Sequence, residues 1–365
     1  MSCALVGAAS LFAESFCQAV EQFEQVCRRR RIEWREFPHY ERGPDGERLA
    51  TRVARVGPPD SPRVVVLNSG THGVEGLAGS ACLLAWLVHG NEVLPDGISV
   101  VLIHLINPWG TAWRRRQTEG NVDLNRNFVD FSMQLPLNPQ YDRLRDALTP
   151  SDIEGAVWAE SLQQIAEFRK ACGEDALAHA AFAGQYVEPQ GIGFGGAAPT
   201  WSNHTFRSIL NRYASKAREV AFIDFHTGLG PFGHGTLLST ELSGGSALAR
   251  TRSWFAGPVV GLKEEERAMP YDIQGDIGTA AQVILAGARV NAVTVEFGTF
   301  ALQSFLELQI RDCWLQRQGR PKSPQWEVIR ASLQDFFCPR DDAWRQAVQA
   351  RACDVIHQAI VGLAG

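Results

Sequence analysis

The feature that most constrains the fold is a pair of short apolar runs separated by a helical stretch. Residues 63–68 and 99–106 are rich in Val, Ile and Leu, as buried β-strands are, and residues 77–89 have the length and composition of a helix. Two parallel strands need a crossover of this kind, so the segment predicts a βαβ unit. A second alternation begins near Ser202 and ends with an apolar run over 290–297. The sequence therefore predicts an α/β fold with a mixed, mostly parallel central sheet flanked by helices.

The remaining elements are predicted from local periodicity. A helix over 10–31 has apolar residues at spacings of three and four, and helical character also extends over 202–218. The remaining predicted strands cover 48–56, 220–226 and 235–239.

Long stretches between these elements are expected to modify a single domain that spans residues 1–365. Residues 138–201 are first helical and then rich in Gly and aromatic side chains, which indicates an insert over one end of the sheet. Residues 305–364 are predicted to be helical, with prolines between the helices.

The charge balance argues against polyanionic partners. Lys and Arg total 35 against 40 Asp and Glu, which gives a net charge of −5, so we expect no nucleic-acid or membrane partner. No apolar run approaches the roughly 18–20 residues that a membrane span requires. The apolar stretch within residues 1–13 has no preceding Lys or Arg, unlike a secretory signal, so a cytoplasmic location is expected.

Three residues from distant segments have the chemistry of a metal site. His72 and Glu75 lie three apart in Asn-Ser-Gly-Thr-His-Gly-Val-Glu-Gly, which leaves a strand and enters a helix. Alone, the motif would better fit a capped helix start with an incidental histidine. His226 lies at the end of a later strand and is the natural third ligand. Two imidazoles and one carboxylate leave a fourth position for water, as in catalytic zinc sites.

Further segments supply candidate acid, base and anion-binding groups. Glu296 lies in an apolar strand, where burial would raise its pKa toward that of a general base, although an edge-strand Glu facing solvent fits the same pattern. The run Arg114, Arg115 and Arg116 precedes a polar Asp-Leu-Asn-Arg-Asn turn and indicates an anion pocket. Tyr271 lies in a turn-rich stretch and could supply a mobile phenol.

Taken in this order, the motifs resemble those of the zinc carboxypeptidase superfamily, which includes the succinylglutamate desuccinylase and aspartoacylase deacylases. The His-x-x-Glu motif, Asn-Pro-x-Gly at 107–110, Asp-Leu-Asn-Arg-Asn-Phe at 123–128, the strand-end His226 and the late Glu296 all have counterparts there. The residues of the motifs Asn-Ser-Gly-Thr-His-Gly-Val-Glu-Gly and Asp-Phe-His-Thr-Gly-Leu-Gly look like those of a bacterial branch of that superfamily. The resemblance covers residues 63–299 and implies a carboxypeptidase-like, phosphorylase/hydrolase-like sandwich.

The resemblance implies a role for each residue of the metal site. His72, Glu75 and His226 would bind one Zn²⁺ per chain. Glu296 would deprotonate the attacking water, and Asp123 would orient the first ligand histidine.

The resemblance also implies a substrate site. Counting seven residues back from Asp123 selects Arg116 as the arginine that stabilises the oxyanion, with Arg115 as the next candidate. Asn125 and Arg126 would hold a terminal carboxylate of the substrate, and Tyr271 would cap it.

Three functional hypotheses remain open. The first is a zinc-dependent amide hydrolase of the metallocarboxypeptidase type, and the second is an N-acyl amino acid deacylase. The substrate would be a small peptide or an N-acyl amino acid with a free carboxylate. The third is a metal-free binding protein with the same fold. The stretch between Glu75 and His226 is long for a minimal peptidase of this superfamily, and the extra residues fall in the insert. The substrate preference is therefore undecided.

Overall fold

A mixed β-sheet forms the centre of the protein. The computed structural model describes residues 11–90, 93–241, 245–261 and 273–365. The strands in these ranges are β1 Trp34–Arg42, β2 Arg48–Val56, β3 Arg63–Ser69, β4 Ile98–His104, β5 Glu219–Phe232, β6 Gly235–Ser239, β7 Val259–Gly261 and β8 Arg289–Gly298. Their spatial order is β1-β2-β4-β3-β5-β8-β6-β7.

The four central strands are parallel. β3 pairs with β4 and β5, and β5 pairs with β8, all in parallel register. Antiparallel pairs flank this centre, because β2 joins β1 to β4 and β6 runs against β8. The predicted α/β fold with a mixed, mostly parallel sheet is confirmed.

Helices cover the sheet. They are α1 Phe16–Arg30, α2 Gly76–His89, α3 Pro108–Ala112, α4 Pro139–Leu148, α5 Gly155–Cys172, α6 Glu174–Phe182, α7 Trp201–Tyr213, α8 Ser246–Trp254, α9 Ile277–Ile284, α10 Leu302–Gln318, α11 Pro324–Phe337 and α12 Asp342–Ala364. Within the ranges given above, none of them is long and apolar enough to cross a membrane.

Alternating strand residues supply a core on each face of the sheet. In β3, Val65 and Leu67 pack in one cluster with α1, α2 and α12, whereas Val64 and Val66 pack in another with α7 and α9. Strands buried on both faces have no polar alternation, which explains the continuous apolar run in the sequence. A third cluster joins α4, α5 and α6 of the 138–201 segment to α10 and α11.

The structure adds elements that the sequence analysis did not predict. The strand β1 was not predicted, because it is a mostly exposed edge strand that contains Pro38. Its sequence therefore lacks the alternation of apolar and polar residues that a half-buried strand shows. The short β7 and the helices α8 and α9 were also missed. The first helix starts at Phe16, because the side chain of Ser15 accepts a hydrogen bond from the N–H of Gln18 and caps it there.

A buried ion triad holds the arginine loop against the C-terminal helices. Asp312 of α10 accepts hydrogen bonds from Arg115, with Nε to Oδ1 at 3.1 Å, and from Arg330 of α11. All three side chains are almost fully buried. Burial would raise the pKa of Asp312, but the two guanidinium groups outweigh it and lower the pKa. The predicted contact of Arg115 with substrate stays a prediction; in this structure its guanidinium is buried against Asp312.

Neutralising Asp312 should strongly destabilise the fold. The Asp312→Asn change leaves two buried guanidinium groups without their counter-charge, and breaking such pairs typically costs about 3–5 kcal/mol. Urea denaturation should show this loss in the free energy of unfolding. The control is Asp60→Asn, which removes an exposed pair with Lys216 at 3.2 Å and should change little. Equal stabilities of the two variants would contradict the structural role of the triad.

Candidate metal centre

The candidate site lies at the carboxyl ends of the central parallel strands, the edge where α/β proteins bind ligands. His72 and Glu75 follow β3, His226 lies in β5 and Glu296 lies in β8. His226 and Glu296 are register partners on neighbouring strands. All four residues line one cavity.

A tight turn between β3 and α2 carries the first two of these residues. Gly70 has a φ of 76°, in the left-handed region that favours glycine. A Cβ atom at Gly73 would lie 2.1 Å from the carbonyl carbon of Gly110, so a larger residue would push the turn away from α3. The N–H of Gly73 donates to the carbonyl of Arg116 at 3.0 Å, which joins the turn to the arginine loop.

Three side chains that can bind a metal converge in the cavity. His72 Nδ1 lies 2.9 Å from Glu75 Oε1, and His226 Nδ1 lies 3.2 Å from Glu75 Oε2. The two Nδ1 atoms are 3.2 Å apart. All three residues are buried.

This spacing fits a small cation. Tetrahedral bonds of about 2.0–2.1 Å hold ligand atoms about 3.3 Å from one another. Two imidazoles and one carboxylate are also a donor set that catalytic sites use while keeping one position open. The residues present therefore fit a metal cofactor.

The carboxylate of Glu75 is ionised in this setting. Burial would raise its pKa, but the neighbouring His72 and His226 outweigh burial and lower it. An ionised carboxylate is the form that binds a cation.

Asp123 holds the outer nitrogen of His72. His72 Nε2 lies 3.2 Å from Asp123 Oδ1, and Arg116 donates to the other carboxylate oxygen. The N–H of Asn125 also donates to Oδ1, at 3.0 Å. Burial would raise the pKa of Asp123, but the charge of Arg116, followed by that of His72, holds it well below its usual value.

Glu296 is a buried acid beside the three ligand residues. Burial raises the pKa of Glu296 to about 7, and the charge of Glu75 adds to the rise. The N–H of Leu229 donates to Oε1 at 3.0 Å. Because β8 lies between β5 and β6, the alternative of a solvent-facing edge residue is wrong. A carboxyl group with this pKa can exchange a proton near neutrality.

Of the predicted anion-binding residues, Arg116 and Arg126 both line the cavity. The Arg116 guanidinium contacts Asp123, and its Nε lies 3.7 Å from Glu75 Oε1. Arg126 donates to the backbone carbonyls of Ala183 at 3.0 Å and Phe182 at 2.5 Å, where α6 ends.

Asn125 also lines the cavity and connects Arg126 to the helix α9. The third hydrogen bond of Arg126 goes to the backbone carbonyl of Asn125 at 2.7 Å, and the side-chain oxygen of Asn125 accepts from the N–H of Ile277 at 2.9 Å. A guanidinium has five N–H donors, so two of those of Arg126 remain for a ligand.

An aromatic wall adjoins Arg116. The rings of Phe182 and Phe305 stack at 4.7 Å, Phe337 contacts Phe305 at 5.6 Å, and the Arg116 guanidinium lies 5.8 Å from the Phe305 ring. Phe182 comes from the 138–201 segment, so this segment forms part of the cavity. Tyr271 lies outside the described residues.

Asp224 is a buried residue of the site that the sequence analysis did not single out. Its carboxylate contacts Nε2 of His226, two residues further along β5. Residues two apart in a strand share a face, so the Asp-Phe-His spacing was the available signal.

Comparison with known proteins places the chain in its structural context. The family model described as "Protein of unknown function (DUF2817)" matches residues 12–351. No curated protein matches the sequence.

Several solved structures align with this chain. The thrombin activatable fibrinolysis inhibitor (TAFI) aligns with a TM-score of 0.51 at 11% identity, over 96% of this chain and 74% of that one. Bovine TAFI, solved in complex with tick carboxypeptidase inhibitor, aligns with a TM-score of 0.48 at 11% identity, over 96% and 97%. An aspartoacylase family protein from Mesorhizobium loti aligns with a TM-score of 0.37 at 14% identity, over 80% and 68%. The alignment with TAFI shows that the two chains share a fold.

Metal content provides a direct test of the site. Chain purified without chelator should carry one divalent ion, and the His72→Ala and His226→Ala variants should lose most of it, because two remaining ligands hold a metal weakly. Elemental analysis measures the content. His204→Ala, at an exposed histidine outside the cavity, should retain the ion. A wild-type chain with far less than one ion would instead support a metal-free binding protein.

Proposed function

This chain belongs to the family described as protein of unknown function (DUF2817), and we propose that it is a zinc-dependent hydrolase of amide bonds of the metallocarboxypeptidase type. The observation that carries the proposal is the convergence of His72, Glu75 and His226 beside the buried Glu296. A structural metal site would not need a proton-exchanging carboxyl group next to the cation. A hydrolytic site needs one.

His72 Nδ1, His226 Nδ1 and the Glu75 carboxylate are the atoms proposed to hold the zinc ion. When bound, zinc would polarise an amide carbonyl and make a water molecule more acidic. Glu296 then has the role of the base. Its carboxylate, with a pKa raised to about 7, accepts a proton from the attacking water and returns it to the leaving amine.

The proposed roles of the arginines follow from their positions. Arg116 lines the cavity beside Glu75, where a guanidinium stabilises negative charge on the carbonyl oxygen as the water attacks. Arg126, with Asn125 beside it, is the proposed anchor for a substrate carboxylate, through the two N–H groups that its bonds to the backbone leave available. The substrate would then be a small peptide or an N-acyl amino acid with a free carboxylate.

The second candidate, an N-acyl amino acid deacylase, is favoured by the walls of the cavity. Ala181, Phe182 and Ile192 of the 138–201 segment line the same cavity as the metal ligands. Walls that share one cavity with the metal ligands restrict the length of chain that fits, which suits a short acyl group better than a polypeptide.

Removing the base should separate metal binding from turnover. The Glu296→Gln variant should keep its metal, because Glu296 is not among the three ligands, while kcat falls by at least about 100-fold, as expected for loss of a general base. Elemental analysis and a coupled amine-release assay measure the two properties. Glu241→Gln changes another buried glutamate that does not line the cavity and should retain activity. Unchanged turnover in the Glu296→Gln variant would falsify the assignment of the base.

A substrate panel should distinguish the two candidate activities. We expect the zinc-loaded chain to hydrolyse hippuryl-type dipeptides with a higher kcat/KM than N-succinyl or N-acetyl amino acids, because the carboxylate anchor serves both classes and the benzoyl ring adds apolar contact with the aromatic wall. Liquid chromatography of the released amino acid gives the rates. The reverse order of rates would identify the deacylase instead.

A further inference from the structure

We propose that Asp224 is a positioning residue that fixes the imidazole of His226 with Nδ1 toward the metal position. The inference rests on the proposed metal-dependent function. Asp224 is fully buried, and its carboxylate meets Nε2 of His226, the nitrogen on the far side of the ring from Glu75.

The groups around Asp224 decide where the proton of His226 lies. Asn68 donates through Nδ2 to Oδ1 at 2.7 Å, and the hydroxyl of Thr71 donates at 2.9 Å to Oδ2. An ionised carboxylate can only accept hydrogen bonds, so Nε2 of His226 must carry its hydrogen toward Asp224. In a neutral imidazole the other nitrogen, Nδ1, then presents its lone pair.

That lone pair faces other acceptors. His226 Nδ1 lies 3.2 Å from His72 Nδ1 and 3.2 Å from Glu75 Oε2. His72 is arranged in the same way, because its own Nε2 faces Asp123. Three acceptor atoms so close repel one another unless a cation or an added proton lies between them. Asp224 thus helps to hold the lone pair of Nδ1 toward the position where a metal ion would bind.

Asp224 also joins the two halves of the site. Asn68 is in β3, and Thr71 directly precedes His72, so one carboxylate binds the turn that carries two ligands and the strand that carries the third. Asn68 and Thr71 also contact each other at 2.9 Å. The ligand atoms are consequently held together by the protein itself, which lowers the ordering cost of metal binding.

The Asp224→Asn change tests this role with little change of volume. The amide has one acceptor and one donor group where the carboxylate had two acceptors. When the NH₂ group of this amide faces His226, Nε2 of the ring must accept its hydrogen bond. The ring hydrogen then lies on Nδ1, the atom proposed to bind the metal, and blocks it. Loss of such an outer partner typically lowers metal affinity about 10–100-fold.

The experiment is a zinc competition titration with a chromogenic chelator on the wild-type, Asp224→Asn and Ser80→Ala chains. Ser80→Ala is the matched control, because it also removes a buried partner of a histidine, the 2.8 Å contact with His104, away from the cavity. We expect Asp224→Asn to bind zinc at least about 10-fold more weakly and Ser80→Ala to match the wild type. Wild-type affinity in Asp224→Asn, or an equal loss in both variants, would overturn the proposal.

A second measurement reads the tautomer of His226 in the wild-type chain and holds even where the Asp224→Asn variant does not fold. Histidine labelled with ¹⁵N reports the tautomer of each ring by NMR, and the His226 signal is assigned by its loss in the His226→Gln chain. In zinc-loaded protein we expect a protonated Nε2, and a protonated Nδ1 would overturn the inference. Neither readout needs a substrate. If the zinc titration and the NMR measurement both give the expected result and the chain hydrolyses no substrate, only the proposed function is contradicted. A wild-type chain that binds no zinc would contradict both the proposed function and the role of Asp224.

Discussion

The parallel register of β3, β5 and β8 is the constraint on which the site depends. It sets Asn68 beside Asp224 and His226 beside Glu296, so residues far apart in the chain reach one edge of the sheet at the same height. Val, Ile and Phe side chains on both faces of these strands hold that register, because a shift by one residue would turn every buried side chain to the wrong face. The chemistry of the site is thus maintained by the hydrophobic core beneath it.

Charge balance is the second condition. The acidic side chains of Glu75, Asp123, Asp224 and Glu296 lie buried in or beside the cavity, and burying carboxylates is costly unless cations or hydrogen-bond donors compensate them. Arg116 compensates Asp123, and Asn68 and Thr71 donate to Asp224. A divalent ion between the three ligand atoms would supply the charge that Glu75 and its neighbours still require.

The sequence predicted those parts of the molecule that depend on local pattern. Continuous apolar runs identified the central strands, and the order of the motifs identified the three residues that the structure brings together. It ranked Arg116 above Arg115 only through the resemblance, because adjacent loop residues have no periodicity, and the partner that buries Arg115, Asp312, lies far along the chain. Asp224 looked like one polar residue in an apolar strand, since its partners approach only after β3 and β5 pair. The capping role of Tyr271 stays a prediction.

The hydrogen bonds of Arg126 have a consequence for how such proteins can diverge. The same guanidinium that faces the cavity binds the last carbonyls of α6, so the segment over the sheet is not an independent module. Transplanting that segment from a relative would also alter the orientation of an arginine in the ligand pocket. The ligand-binding residues and the 138–201 segment are therefore expected to change together during evolution. An exchange of that segment would succeed only when the residues that contact it, such as Arg126, are exchanged as well.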